Sequence, residues 1–281
     1  MKSEIPPRIE RSDIEALPVK VGGTEIVLQR HGQYERSADT SNVGSLTEEG
    51  VENVRGTGFR FFKSFFENIP ASERADVEVL VIASDTQHKE RGKRSTETAD
   101  TVMGALREVL SELGLNESQI LNTSGRFSGE GAARPTPKLR EPQMFNNSPE
   151  FVEFLKDKYG DQGKDFWIAF EEDVEKEARE AMGAEGPDEI TDRLTFMVSA
   201  LNRFSRMYHK KNPNKRLVIW AGTHYDTISP YVKREVFGVD KDVALGVDYG
   251  AGISIEIDPS GKMTTQLGGS EYEIGSKKES L

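Results

Sequence analysis

The chain has 281 residues, a length that fits one α/β domain with a substantial insertion. Its 48 acidic and 37 basic residues leave a net charge of −11. That charge disfavours a nucleic-acid-binding protein, although a small pocket can still be locally positive. The chain has no cysteine, which excludes disulfides, thiolate nucleophiles and cysteine-ligated metal centres.

No run of apolar residues approaches the ~18 needed for a spanning helix, and the N-terminus lacks the apolar region of a secretory signal. We therefore expect a cytoplasmic protein that does not bind membranes. Residues 1–23 are polar, contain Pro6 and Pro7 and end in two glycines. They are predicted to be a partly ordered leader to a single domain formed by residues 24–281.

Short apolar and β-branched runs alternate with helical periodicity along the chain. The strands predicted from these runs are residues 24–29, 77–84, 216–222 and 252–258, with residues 262–267 returning as a hairpin. A helix from residue 46 to about 68, with Thr47 as its N-cap, follows the first strand, and a helix over residues 93–113 follows the second. This alternation predicts an α/β fold, a three-layer α/β/α sandwich with a mostly parallel sheet.

Residues 125–187 depart from this alternation and are predicted to be a helical insertion on the sheet. The insertion starts with a proline-rich loop and continues with two helical stretches, residues 149–159 and 164–182. The charged run EEDVEKEARE, residues 171–180, lies in the second stretch. Its alternating charges are typical of a solvated helix face.

The most informative tripeptide is Arg30-His31-Gly32, directly after the first predicted strand. Open α/β sheets bind ligands at the carboxyl ends of their strands. A guanidinium holds phosphate oxygens bidentately, a neutral imidazole can attack phosphorus, and a glycine allows the backbone to approach a ligand closely. The tripeptide therefore indicates phosphoryl chemistry, although on its own it also fits a histidine that caps a turn.

Two further strand ends carry matching residues. Arg94 lies after the second strand, near a helix N-terminus that favours anions. Thr223 and His224 follow the strand over residues 216–222. Each feature alone is typical of an ordinary turn or a structural histidine, but three strand ends that supply Arg-His, Arg and His favour one shared anion site.

In the order and spacing of these motifs, the chain resembles the histidine phosphatase superfamily, in its phosphoglycerate mutase-like branch. The resemblance covers residues 24 to about 267 and includes an L-T-x-x-G helix start at residues 46–50 and R-x-x-x-T-A at residues 94–99. It implies that His31 becomes phosphorylated, and that His224 completes the pocket. It also implies that Arg30 and Arg94 bind the phosphoryl group. We expect Gly32 and Thr223 to contribute to phosphate binding as well.

The resemblance also implies a proton donor in an L-x-E context, and Glu141 matches that context. Asp226 and Asp85 remain alternative donors. Because the gap between the second strand and Arg94 is long, Arg91 remains an alternative to Arg94.

Several positions differ from the pattern of that family. Tyr34 and Ser37 stand where its mutases carry other residues, and Glu141 is followed by Pro142 instead of Tyr-Gly. These differences favour a phosphatase over a mutase.

We therefore predict a metal-independent phosphatase that hydrolyses phosphomonoesters through phospho-His31 and needs no cofactor. Arginines would supply the positive charge that stabilises the transferred phosphoryl group. Two other functions stay open, a phospho-ligand-binding or scaffold protein with little turnover and a mutase-type phosphotransferase. The expected partner is a phosphorylated small molecule or phosphoprotein, and the sequence identifies neither that substrate nor the oligomeric state.

Overall fold

The computed structural model describes residues 8–36, 43–86, 94–123, 134–238 and 245–275. In these parts the strands are, in chain order, β1 (Arg8–Ile9), β2 (Thr24–Arg30), β3 (Val77–Ala83), β4 (Arg134–Pro135), β5 (Arg216–Thr223), β6 (Gly246–Val247), β7 (Gly252–Ile257), β8 (Met263–Leu267) and β9 (Ser270–Ile274). The α-helices are α1 (Glu48–Glu67), α2 (Arg94–Glu112), α3 (Met144–Asn147), α4 (Pro149–Tyr159), α5 (Lys164–Glu171), α6 (Lys176–Ala181), α7 (Pro187–Lys211) and α8 (Tyr225–Tyr231).

One mixed sheet carries the strands that position the candidate site. Its order in the described parts of the chain is β4-β3-β5-β2-β7-β8-β9. The strands from β4 to β2 run parallel, and β7, β8 and β9 continue from β2 in antiparallel pairs. The predicted parallel sheet is thus confirmed for the half that holds the site, and the predicted hairpin is confirmed as β7 and β8.

Helices cover both faces of this sheet, which confirms the three-layer prediction. On one face α1 and α2 pack through a buried aromatic cluster that includes Phe61, Phe62 and Trp220. On the other face α7 and α8 pack through aliphatic side chains such as Leu194 and Ile228. Burying each such side chain contributes about 1.5–3 kcal/mol, and the two cores together hold the sheet between its helices.

The predicted elements of the sandwich agree with the structure apart from small shifts at their ends. Thr47 is the N-cap of α1, because its Oγ1 accepts the N–H of Gly50 at 3.0 Å. The sequence did not predict β4 or β9. A strand of two residues such as β4 has no periodicity to detect, and it exists only because it pairs with distant β3.

The insertion forms a small core of its own, in which α3, α4 and α5 pack together with the start of α7. The single helix predicted over residues 164–182 is wrong, because the chain breaks between α5 and α6, where Asp173 has a left-handed φ of 53°. The solvated face predicted for residues 171–180 is also wrong in part. Glu171 and Arg179 are buried, and they pair with Lys233 at 2.8 Å and with Asp173 at 2.7 Å, respectively.

Residues 8–23, the described part of the predicted leader, pack against the domain. Ile9 and Leu17 are buried, and β1 pairs with β6 in a small parallel sheet. Glu25 of β2 accepts the N–H of Leu17 at 3.2 Å. Within the described ranges, no helix is both long enough and apolar enough to span a membrane.

Candidate active site

The carboxyl ends of two neighbouring parallel strands bring two histidines together. β2 and β5 pair with Arg30 opposite Thr223, so His31 and His224 each follow the last paired residue of their strand. The N–H of His31 donates to the carbonyl of Thr223 at 2.9 Å. The two imidazole centroids lie 5.2 Å apart. Both predicted histidines therefore lie at one edge of the sheet.

The hydrogen bonds of His31 define its tautomer. Nδ1 lies 2.8 Å from the carbonyl of Gly32, which can only accept, so Nδ1 carries the proton. Nε2 lies 3.1 Å from Nε of Arg94, which can only donate, so Nε2 presents its lone pair. Burial first, and then the charge of Arg94, hold the pKa of His31 well below its usual range. His31 is thus a neutral imidazole with a lone pair at Nε2.

Gly32 lets the loop after β2 lie directly on α1. A Cβ at Gly32 would come within 2.8 Å of Val54, and one at Gly50 of α1 would overlap the carbonyl of Gln33. The N–H of Gly32 donates to Oγ1 of Thr98 at 3.0 Å. The close approach that this glycine allows is therefore to α1, and its N–H is already bonded to Thr98.

Arg94, the first residue of α2, links three of the predicted residues. Besides its bond to His31, its Nη2 donates to Oε2 of Glu141 at 2.5 Å. The same carboxylate oxygen lies 3.9 Å from Nδ1 of His224. Arg94 and Glu141 are only 11% and 17% exposed, so their interaction lies in a largely desolvated position.

Several side chains fix the loop that carries Glu141. Oγ1 of Thr223 donates to the carbonyl of Leu139 at 2.7 Å, so the hydroxyl of this predicted phosphate-binding residue holds the loop. Nη1 of Arg193, from α7, donates to the carbonyl of Arg140 at 2.8 Å. The sequence did not predict Arg193, because nothing local relates α7 to a loop some fifty residues earlier in the chain.

The side chain of Arg30 lies beside the site, and in the described residues it forms no hydrogen bond with the side chain of His31. Its Nη1 donates to the carbonyl of Val247, and its Cζ lies 3.8 Å from the ring centroid of Tyr249 and 5.4 Å from that of Tyr225. Its Nε is buried without a hydrogen-bond partner in the described residues. The positive charge of Arg30 adds to those that lower the pKa of His31.

His224 is held by two hydroxyl groups that the sequence did not predict. Its Nε2 lies 3.0 Å from Oγ of Ser84, at the end of β3, and 3.1 Å from Oγ of Ser95, in the first turn of α2. Its other ring nitrogen, Nδ1, faces Glu141. Burial first, and then the charge of Arg94, hold the pKa of His224 well below its usual range.

The two alternative proton donors differ in their surroundings. Asp85 forms a two-pronged pair with Arg140, at 2.5 and 2.6 Å, which fixes the residue before Glu141. Asp226, in the first turn of α8, is buried, and burial first, then the charge of Glu141, raise its pKa to about 8. Asp226 is therefore protonated at neutral pH, as a general acid must be. Arg91, the alternative to Arg94, lies outside the described residues.

Aromatic side chains cover the outer side of His31. The ring centroids of Tyr34 and Tyr249 lie 5.2 and 5.8 Å from that of His31. His31 is 4% exposed as a result. The sequence could have indicated the contact of Tyr34, which lies three residues after His31. It could not have indicated that of Tyr249, which comes from a distant turn.

Comparisons with known proteins find solved structures at low sequence identity. No protein-family model matches the chain, and no curated protein matches it. The chain is similar to a phosphoglycerate mutase from Bacillus anthracis str. Sterne, with 16% identity and a TM-score of 0.49 over 88% of this chain and 93% of that chain. It is also similar to a mycobacterial hydrolase, with 14% identity and a TM-score of 0.49 over 88% and 99% of the two chains.

A third similar structure is a mycobacterial glucosyl-3-phosphoglycerate phosphatase, with 15% identity and a TM-score of 0.46 over 86% of this chain and 97% of that chain.

Proposed function

We propose that this protein is a phosphatase that hydrolyses phosphomonoesters through a phosphohistidine at His31. The observation that carries the proposal is the neutral, buried imidazole of His31, whose Nε2 lone pair meets a guanidinium that also contacts Glu141. A nucleophile, a cation for the phosphoryl oxygens and an acid are thus connected through Arg94. This combination supports turnover and not mere binding.

In the first step, Nε2 of His31 attacks phosphorus opposite the leaving oxygen. Glu141, which the phosphoryl group releases from Arg94, takes up a proton from solvent. The new P–N bond forms as the P–O bond breaks, and the leaving oxygen takes that proton from Glu141. The guanidinium of Arg94 turns from His31 and Glu141 to the phosphoryl oxygens. Arg30 and His224 help to stabilise the negative charge on those oxygens.

In the second step, water attacks the phosphorus of phospho-His31. Glu141, now a carboxylate, takes a proton from that water, and the P–N bond breaks to release inorganic phosphate. His31 returns to its neutral form, with its proton still on Nδ1. All the proton transfers are assigned to side chains, and we propose that no metal ion takes part.

The test is to trap the phosphorylated enzyme. After brief reaction with p-nitrophenyl phosphate and an alkaline quench, the peptide that contains His31 should carry one added phosphoryl group. His31→Ala should abolish both this product and the release of nitrophenol. His209→Gln is the matched control, because His209 bonds to Thr24 at the opposite edge of the sheet, and this variant should keep its activity.

Two further readouts complete the test. Phosphate and nitrophenol should form in equal amounts even with added alcohol, whereas a mutase would transfer the phosphoryl group to an acceptor. Activity should survive EDTA. Full turnover by His31→Ala, or complete loss with the chelator, would contradict the mechanism.

A further inference from the structure

The ring of Tyr225 connects helix α5 of the insertion to the candidate active site. Tyr225 follows His224 directly, and its hydroxyl donates to Oε1 of Glu171, the last residue of α5. Its ring lies edge-on to the ring of Trp167, also on α5, with 6.1 Å between the centroids. Residues 167 and 171 are one helical turn apart and lie on the same face of the helix. One face of α5 therefore holds both the hydroxyl and the ring of Tyr225.

The carboxylate that receives this hydroxyl is itself fixed. The side chain of Glu171 is 3% exposed, and its Oε2 accepts hydrogen bonds from Lys233 at 2.8 Å and from Ser229 at 2.9 Å. Ser229 belongs to α8, and Lys233 to the helical turn over residues 232–236 that follows it. A buried carboxylate with both oxygens bonded is held in one geometry. Glu171 thus presents Oε1 to Tyr225 at a defined position.

The same ring lies near Arg30, which we propose to stabilise the phosphoryl oxygens. Cζ of Arg30 lies 5.4 Å from the ring centroid of Tyr225 and 3.8 Å from that of Tyr249. In the described residues, no carboxylate forms an ion pair with Arg30, and its Nε is buried without a hydrogen-bond partner. A guanidinium is attracted to an aromatic face within about 6 Å. The direction of Arg30 therefore depends on where the two rings and the carbonyl of Val247 are held.

Orientation by rings suits an arginine that must bind an anion. A carboxylate partner would neutralise the charge of Arg30, and the phosphoryl group would have to displace it, as it must displace Glu141 from Arg94. An aromatic ring attracts the guanidinium and leaves its positive charge in place. The position of Arg30 then depends on how firmly the neighbouring rings are held, and α5 holds Tyr225 at both its ring and its hydroxyl.

We propose that Tyr225, held by Glu171 and Trp167, is a positioning residue that keeps Arg30 where it binds the phosphoryl group, so that phosphate affinity depends on the insertion. This inference rests on the proposed phosphatase function. Tyr225 acts through Arg30 and takes part in no bond that forms or breaks. The insertion would thus have a second role besides carrying Glu141.

The first test is Tyr225→Phe, which keeps the ring and removes its bond to Glu171. We expect kcat/KM for p-nitrophenyl phosphate and the affinity for inorganic phosphate, measured as its inhibition constant, each to fall by about fivefold to tenfold, less than the roughly 10²-fold that a shift of ~1 Å can cost. The matched control is Tyr159→Phe, because the hydroxyl of Tyr159 donates to Glu175 within the insertion, a bond of the same kind that does not involve α8. It should leave both quantities unchanged.

A double-variant cycle with Arg30→Gln separates positioning from a purely structural role. If Tyr225 acts through Arg30, Tyr225→Phe should change the inhibition constant by less than about twofold once Arg30 is absent, because the effects of interacting residues are not additive. If the bond between Tyr225 and Glu171 only stabilises the fold, the two variants should act independently, and their effects should multiply. All constants are measured well below the unfolding temperature of each variant, so that only folded protein is compared.

Two kinds of result would overturn the inference, and they are distinguishable. If the wild type hydrolyses p-nitrophenyl phosphate but Tyr225→Phe has no effect, or its effect persists in full in the Arg30→Gln background, Tyr225 does not position Arg30 and the phosphatase function stands. If the wild type does not hydrolyse p-nitrophenyl phosphate and forms no phospho-His31, the proposed function fails and this inference fails with it.

Discussion

Nε of Arg94 donates to Nε2 of His31 across 3.1 Å, so the lone pair that would attack phosphorus is already bonded to a cation that would bind the phosphoryl group. The same guanidinium donates to Glu141 through Nη2. A phosphoryl dianion must therefore replace both partners of Arg94. We infer that substrate binding frees the His31 lone pair at the moment when Arg94 is placed on the phosphoryl oxygens.

Arg94→Lys tests this exchange. Lysine keeps one positive charge but cannot donate to two groups at once in a fixed plane. We expect kcat/KM for p-nitrophenyl phosphate to fall by about 10²-fold, in the range found when one stabilising donor is removed from an active site. Inhibition by vanadate should weaken as well. The control is Arg206→Lys, because Arg206 is an exposed residue beside Gly261, at the opposite edge of the sheet. If vanadate inhibits Arg94→Lys as strongly as the wild type, Arg94 does not bind the phosphoryl group.

Glu141→Gln should discriminate between leaving groups. An alkyl alcohol leaves as a strongly basic alkoxide unless it is protonated, whereas nitrophenolate leaves without a proton. General acid catalysis typically contributes about 10²–10⁴-fold, so we expect a loss of that size for phosphorylation of His31 by alkyl phosphates and a much smaller loss for p-nitrophenyl phosphate. The comparison should use the burst phase, because in the proposed mechanism Glu141 also activates water in the second step.

Asp226→Asn is the parallel variant, since the raised pKa of about 8 keeps Asp226 protonated at neutral pH. If Glu141 is the acid, Asp226→Asn should change the rate of His31 phosphorylation by the same factor for alkyl phosphates and for p-nitrophenyl phosphate. Should the leaving-group dependence appear in Asp226→Asn and not in Glu141→Gln, the proton donor is Asp226.

The two histidines of the candidate site should lower the stability of the protein in mild acid, whereas Asp226, which its raised pKa of about 8 keeps protonated in the folded protein, should oppose that loss. Both histidines have pKa values well below the usual value of about 6.5, so below that pH the unfolded chain binds protons that the folded protein does not. Each histidine adds up to about 1.4 kcal/mol of lost stability per pH unit as the pH falls. Urea unfolding from pH 7 to pH 5 measures this slope.

His31→Gln should remove the contribution of His31, because glutamine has no proton to gain. The stability of this variant at pH 5, relative to its stability at pH 7, should therefore be higher than that of the wild type. Arg206→Gln, which removes no group that titrates in this range, should keep the slope of the wild type. An unchanged slope in His31→Gln would mean that His31 is not held neutral by the fold.

The buried pair of Glu171 and Lys233 predicts an asymmetric response to mutation. Their side chains are 3% and 4% exposed, and Tyr225 and Ser229 also donate to Glu171. Lys233→Met should cost about 3–5 kcal/mol of folding stability, because it leaves Glu171 buried without its cation. Adding Glu171→Gln should recover part of that loss.

The control for this cycle is the exposed pair of Lys176 and Glu180, whose side chains are more than half exposed. Lys176→Met should change stability by less than about 1 kcal/mol. If the double variant recovers none of the lost folding stability, the cost of Lys233→Met lies in packing and not in the unpaired charge.

The parts of the site that could be predicted from sequence are those set by strand ends. A buried strand followed by a polar motif is visible locally, so the positions of His31, Arg94 and His224 at one sheet edge follow from alternating strands and helices. Glu141 was predicted through family resemblance alone. Thr223 was placed at the right edge, but its hydroxyl direction depends on a loop from elsewhere in the chain.

The remaining features depend on contacts between distant segments. Tyr249 meets His31 only because the turn after β6 folds over the end of β2, and Arg193 reaches the Glu141 loop from α7. The break at Asp173 accompanies a buried ion pair with Arg179 that a charge pattern cannot reveal. Periodicity reports the environment of one element at a time, so it contains no information on such contacts.

The pairing of β1 with β6 connects residues 8 and 9 to the segment that holds Arg30 in the candidate active site. Ile9 accepts the N–H of Asp248 at 3.0 Å, Arg8 pairs with Asp248 at 3.1 Å, and the neighbouring carbonyl of Val247 receives Arg30. A protease that clipped the chain after Ile9 would remove no catalytic group, yet it would loosen the support beneath Arg30. We therefore expect the amino-terminal segment to stabilise the position of Arg30, and its loss to weaken the phosphate binding that we propose for this site.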